Sequence, residues 1–198
     1  MVSGQARVGT VLDTGRTSVL NSRGSRRKCL ILQCNVGYIL QSNLSSSTRR
    51  ILAGQGCFGY ADGMPQTSLF NSPTSIIAHS QRVYVTDTGN CLIREIDPVS
   101  GIVSTVAGVA GVCERQDGLR AGLRYPSNFT PTQYDGFFVF MDQGPDEAAP
   151  TVRQFHTDSA YVRTIQSLKT QPVSSLLCFA DRLSVVSANT FYDLTVQT

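Results

Sequence analysis

The sequence predicts an all-β chain built from repeated four-stranded antiparallel units, a propeller-type architecture. Three observations carry this expectation. The chain repeats itself every 50–60 residues, its apolar residues alternate within short runs, and turn-forming residues separate those runs. Nothing in the pattern supports a helix of useful length.

The repeat is read by sliding the chain against itself. At an offset of 55, Asp62-Gly63 falls on Asp117-Gly118 and Phe70 on Tyr125. Without a gap, "VYVTDTGN" (83–90) then falls on "FVFMDQGP" (138–145), so Asp87 meets Asp142 and Gly89 meets Gly144. After a four-residue insertion Arg94 meets Arg153. Two fainter copies flank this pair. "TSIIAHSQRVYV" (74–85) meets "SSLLCFADRLSV" (174–185), and "VYVTDTGNCLIRE" meets "LILQCNVGYILQS" (30–42). The copies occupy about 17–54, 70–108, 125–168 and 171–198, with 1–16 expected to be disordered.

Within a copy, "TSIIAH" is a short apolar strand and "RVYVTD" alternates with β-branched residues. "CLIREID" alternates again, and "IVSTVAG" closes the unit. Ser80-Gln81, Asp87 to Asn90 and Asp97 to Gly101 supply the turns. One such meander cannot bury both of its faces, so neighbouring copies are expected to stack as propeller blades.

These residues resemble the NHL-repeat family. The family unit is visible in "ILAGQGCFGYADG" (51–63), "LFNSPTSIIA" (69–78), "VYVTDTGN", "LIREID" (92–97) and "STVAG" (104–108). The match is specific through 51–125, weaker over 126–168 and a trace elsewhere. The outer copies depart from it, with Cys34 and Val36 or Ser187 and Asn189 where Asp and Gly belong. The resemblance implies a ring that is usually six-bladed. A chain of 198 residues supplies about four blades of roughly 54 residues each, an incomplete or divergent propeller. An open arc would expose blade faces suited to self-association.

Composition narrows the function classes. Apolar residues make up 41% and charged residues 16%, which is unlike a disordered chain. A net charge of +3 is mild for a nucleic-acid binder. Six cysteines contain no Cys-x-x-Cys pair, and two histidines are too few for a His-rich metal site, so no metal or cofactor is expected. Cys29, Cys91 and Cys178 fall in apolar runs and read as packed thiols, whereas Cys57 and Cys113 sit in glycine-rich loops as the reactive or paired ones. No apolar run is long enough to span a membrane or to form the core of a signal peptide, which favours an intracellular location. The Arg- and Ser-rich first 28 residues read as a basic surface loop, with an organelle transit peptide as the other reading.

Asp87-Thr88-Gly89 has the look of an aspartic-protease loop, but its copy reads Asp142-Gln143-Gly144, so no second Asp-Thr-Gly is available. It reads instead as a turn, with Asp capping backbone amides and Gly taking positive φ. Arg94 and Arg153 then pair with the Asp-bearing turn or with loop carbonyls of their own blade. No catalytic residue is assigned, and the chain reads as non-enzymatic. A lyase or lactonase would need axial ligands, yet the position of His79 carries Phe179 in the last copy. The acids of "PDEAAP" (145–150) read as a solvated hairpin tip, and the sequons at Asn43 and Asn128 as chance.

Function is therefore sought on the loops between copies, which lack Walker spacing. Phe58, Tyr60 and Asp62 on the first, and Arg115, Arg120, Arg124 and Tyr125 on the second, are the candidate partner-binding residues. A protein partner is the primary reading. RNA stacking on the Arg/Tyr mixture is the alternative.

Overall fold

The structure is a computed structural model that describes residues 28–33, 37–43, 48–143, 150–168, 173–179, 182–187 and 190–195. Its fourteen strands form four antiparallel meanders. The first holds β1 (Lys28–Gln33), β2 (Tyr38–Asn43) and β3 (Thr48–Gly54). The second holds β4 (Pro73–His79), β5 (Arg82–Asp87), β6 (Leu92–Ile96) and β7 (Val103–Ala107). The third holds β8 (Pro126–Pro131), β9 (Phe137–Asp142), β10 (Thr151–His156) and β11 (Tyr161–Ser167). The fourth holds β12 (Val173–Phe179), β13 (Arg182–Ser187) and β14 (Thr190–Thr195). Between strands, a three-residue 3-10 turn at Thr88–Asn90 is the one helical element among the described residues. No helix among them is long and apolar enough to cross a membrane.

These sheets stack as blades. β4 lies beside β8 and β8 beside β12, so the first strands of the second to fourth blades follow one another, while β1, the counterpart of β5, meets β4 as β5 meets β8. Three apolar clusters fill the three junctions. Ile39, Leu52, Phe70 and Val85 join the first two blades. Ile77, Tyr84 and Ile93 meet Phe129, Phe138, Phe140 and Phe155 at the second junction. Val139, Met141 and Val152 meet Leu176 at the third. Each strand feeds both of its neighbouring junctions because successive side chains point to opposite faces. Among the described residues no hydrogen-bonded ladder joins the first sheet to the fourth.

Register corrects two sequence readings. Pro73 pairs Asp87 and Pro126 pairs Asp142. Tyr125 therefore stands at the place of Ser72, both with positive φ, and buried Leu123 stands at the place of Phe70. A loop two residues shorter and a following hairpin two residues longer cancel in a gapless comparison, which hid the shift. In the first blade, Gln33 pairs Tyr38 as Asp87 pairs Leu92, so Gln33, not Cys34, takes the Asp position. Cys34 and Val36 themselves, Gly144, most of 145–150 and the basic stretch 1–27 lie outside the described residues.

Cysteine pairing is the third correction. Cys91 is not a free packed thiol but is bonded to Cys113, while Cys57 is free and exposed. The apolar surroundings of Cys91 are real, since it is fully buried. They do not distinguish a thiol from a half-cystine, because either sulfur packs as a small apolar group.

Candidate functional site

The inter-blade loops are organised by two buried arginines. Arg94 on β6 donates through Nη1 to Asp87 Oδ2 at 2.7 Å and to the Leu69 carbonyl at 3.1 Å. Its Nη2 donates to the Ala61 carbonyl at 2.8 Å and to Asp62 Oδ1 at 2.6 Å, and Nε reaches the same Asp62 oxygen at 3.1 Å. The guanidinium carbon also lies 5.1 Å from the Tyr60 ring centroid and 5.0 Å from that of Phe70. A planar fork of five donors can hold several acceptors of one loop at fixed angles, which a lysine could not do.

Asp87 completes the knot. It accepts from the Asn71 amide at 2.7 Å and from Asn90 Nδ2 at 2.8 Å. Burial pushes its carboxyl above the usual carboxylate range, against the opposing pull of Asn90, Asn71 and Arg94. Gly89 is not at positive φ, contrary to expectation; Cys91 takes the left-handed conformation instead, with φ 59°. Gly89 is needed for close approach, because a Cβ there would sit 2.6 Å from the Asn71 side chain.

The third blade repeats the device. Arg153 donates to Asp142 Oδ2 at 2.7 Å, to the Gly122 carbonyl at 2.6 Å, to the Gln116 carbonyl at 2.9 Å and to Asp117 Oδ1 at 2.8 Å. Asp142 is likewise raised by burial, with Arg153 opposing. In both blades the loop carboxylate also covers an outer strand. Asp62 accepts from the Thr105 amide at 3.0 Å, and Asp117 from the Thr164 amide at 2.8 Å. Gly63 and Gly118 add backbone pairs to Val103 and Val162. The repeated Asp-Gly therefore occupies amides of an edge strand that would otherwise invite pairing with another chain.

The candidate loop residues accordingly separate. Phe58 and Tyr60 are 60% and 44% exposed. Their loop is pinned through the Gly59 and Ala61 backbone to Phe70, Leu69 and Asn90. Asp62, on the same loop, turns inward to Arg94 and Thr105. On the second loop, Arg115 donates to the Asp142 carbonyl at 2.9 Å, and the Arg124 amide donates to Asp142 Oδ1 at 2.6 Å. Arg120 is exposed, and Tyr125 is half-buried beside β8. The Cys91–Cys113 bond ties this loop to the turn of the preceding blade.

Sequence reasoning missed Gln41, Arg50, Gln154 and Arg163. Arg50 Nε donates to Gln41 Oε1 at 2.6 Å, and Arg163 Nε to Gln154 Oε1 at 2.7 Å. The identical nine-residue spacing of each pair was the available signal. Among the described residues, no cluster of three or more His, Cys, Asp or Glu side chains could hold a metal ion.

No family model matches the chain. A segment of 51 residues is 47% identical to NHL repeat-containing protein 2 of Bos taurus, and equally so to that of Homo sapiens. The segment is 26% of this chain and spans only 7% of the length of those relatives. Among solved structures, the crystal structure of the nidogen/laminin complex superposes with a TM-score of 0.62 at 14% identity, covering 85% of this chain and 56% of that one. The repeated unit, its antiparallel blades and the superposable nidogen/laminin structure show a β-propeller fold, within which a 51-residue segment is similar to NHL repeat-containing protein 2.

Proposed function

We propose that the chain is a non-enzymatic binding scaffold that receives a protein partner on the loops between its blades. The observation that carries this reading is the pair Phe58 and Tyr60, large apolar side chains left exposed on a loop held by a fully buried arginine. Exposed aromatics on a rigid support are what a protein interface uses as anchors, since little conformational entropy is lost on docking. The superposable nidogen/laminin structure is itself a complex between proteins, which is compatible with such use of the fold. The RNA reading draws less support, because Arg115 and the Arg124 backbone are engaged with Asp142.

A photo-crosslinking residue placed at Phe58 in the full chain tests the proposal in cells. The expected result is a protein adduct of discrete mass, absent when the same group replaces Tyr134, which is also exposed but lies on the β8–β9 hairpin. The adduct should disappear on Tyr60→Ala. A nuclease-sensitive adduct, or equal labelling from position 134, would overturn the reading.

A further inference from the structure

The third blade contains a half-open cavity of about 340 Å³ whose lining includes none of the candidate loop residues discussed above. It is lined by Phe137, Gln154, His156, Ser159, Tyr161 and Arg163. Register explains why these residues converge. His156 lies opposite Phe137 on one side and Tyr161 on the other, and Gln154 opposite Arg163, so all project from one face of the sheet.

The chain supplies its own comparison, because the same positions exist in the second blade. There Arg82, Glu95, Asp97, Ile102 and Ser104 stand where Phe137, Gln154, His156, Tyr161 and Arg163 stand in the third. Arg82 closes that site on itself, bonding Asp97 at 2.5 Å and approaching Glu95 at 3.5 Å. The first blade has a Gln–Arg pair like the third, but Arg50 Nη2 is taken by the Pro98 carbonyl of the next blade at 3.0 Å. The third blade has exchanged two acids and an arginine for neutral and aromatic residues while acquiring Arg163. The local formal charge passes from negative to positive.

What remains is a set of donors over an aromatic floor. Among the described residues, Arg163 uses Nε alone, and no partner meets its Nη1 and Nη2. Gln154 is 4% exposed, with its Oε1 occupied and its amide nitrogen without a partner among those residues. His156 Nδ1 lies 2.8 Å from the Ser159 hydroxyl and 3.3 Å from the Ser159 amide nitrogen, which holds the ring in place. The His156 and Phe137 rings lie 4.3 Å apart, and Tyr161 is 43% exposed at the rim. A guanidinium fork accepts a carboxylate in bidentate fashion, and ring faces select a flat body.

The geometry points to a binding site on the third blade for a carboxylate carried on a flat ring, held by Arg163 and Gln154 over Phe137, His156 and Tyr161. This site is separate from the Phe58 loop, so either can fail without the other. Isothermal titration of the full chain with benzoate, benzamide and glucuronate at neutral pH tests it. Benzoate should bind saturably, and benzamide, its neutral isostere, at least about tenfold more weakly. Benzoate should bind more tightly than glucuronate, whose ring is puckered, and the reverse order would overturn the flat-ring assignment. Arg163→Gln should weaken the preferred acid at least about tenfold, with Arg163→Lys intermediate because charge survives without the fork. Arg50→Gln, on the plugged site, should leave binding unchanged. If Arg163→Gln fails to fold, the Arg163→Lys and Tyr161→Leu titrations carry the test. The proposal falls if neither acid binds up to about 10 mM, if benzamide matches benzoate, or if no Arg163 or Tyr161 variant alters the affinity.

Discussion

Arg94 and Asp87 meet at 2.7 Å with both side chains completely withdrawn from solvent, and Arg153 and Asp142 do the same one blade later. The outer blades carry neither partner. Register puts Gln33 and Leu40 at these two positions in the first blade, and Ser187 and Tyr192 in the fourth. Loss of one partner would leave a bare charge in a dry junction, so the two are present or absent together.

Arg94→Leu is therefore expected to destabilise the chain by about 3–5 kcal/mol, because Asp87 stays buried and unpaired. The double variant Asp87→Ser/Arg94→Tyr, which copies the fourth blade, should recover a large part of that loss. Denaturant unfolding of both variants checks the expectation. A double variant no more stable than the single would show that the coupling is not local to the pair.

The Cys91–Cys113 bond closes a loop with a sequence separation of 22 residues. Cys113→Ser should cost about 2–4 kcal/mol through the freed loop. Alkylation followed by mass spectrometry should modify Cys57 without reductant and Cys91 and Cys113 only after it, matching the exposure of the first and the bonding of the others. Labelling of Cys91 in the unreduced chain would contradict the pairing.

Asp97 caps its turn by accepting from the Val99 and Ser100 amides at 2.8 and 3.1 Å, and these amides hold its carboxyl below the usual range, with Arg82 adding to the effect. A depressed folded-state value means that its contribution is full above the ordinary Asp range and is lost as pH falls through the folded value. Asp97→Asn should flatten the acid limb of the stability curve below about pH 4 and leave the neutral region's slope unchanged. Parallel acid limbs for the two proteins would rule out this role.

Gly108 has φ 94°, and a Cβ there would stand 2.4 Å from the Cys91 carbonyl oxygen. Gly111 has φ 78° but opens into free space. Both Gly→Ala changes carry backbone strain, and only the first adds a clash with a backbone atom. Gly108→Ala should cost clearly more than the roughly 1 kcal/mol expected of Gly111→Ala, as thermal unfolding would show. Equal losses would mean the Cys91 turn yields without penalty.

Much of the fold was legible because its determinants are local. Alternation within "RVYVTD" and "LIREI" and the turn residues between them are read directly, and the Asp87/Asp142 and Arg94/Arg153 coincidences follow from simple offsets. The candidate site was legible only in outline. Phe58 and Tyr60 could be placed on a loop, but whether Asp62 faced a partner or Arg94 depends on where β6 and β7 lie in space. Tyr125 was misplaced because two length changes of opposite sign cancel in sequence but not in a ladder that pairs Pro126 with Asp142.

The sequence alone determined the repeated meander, its two-residue alternation and the matched presence of Asp and Arg in the two central blades. Those are properties of neighbouring residues or of equal spacing. Tertiary structure decided which sulfur joins Cys113, which carboxylates cover the outer strands, and that Arg163 lines a cavity while Arg50 is plugged. Each of these depends on the distance between segments of different blades, and that distance is set by how stacked sheets bury their apolar faces.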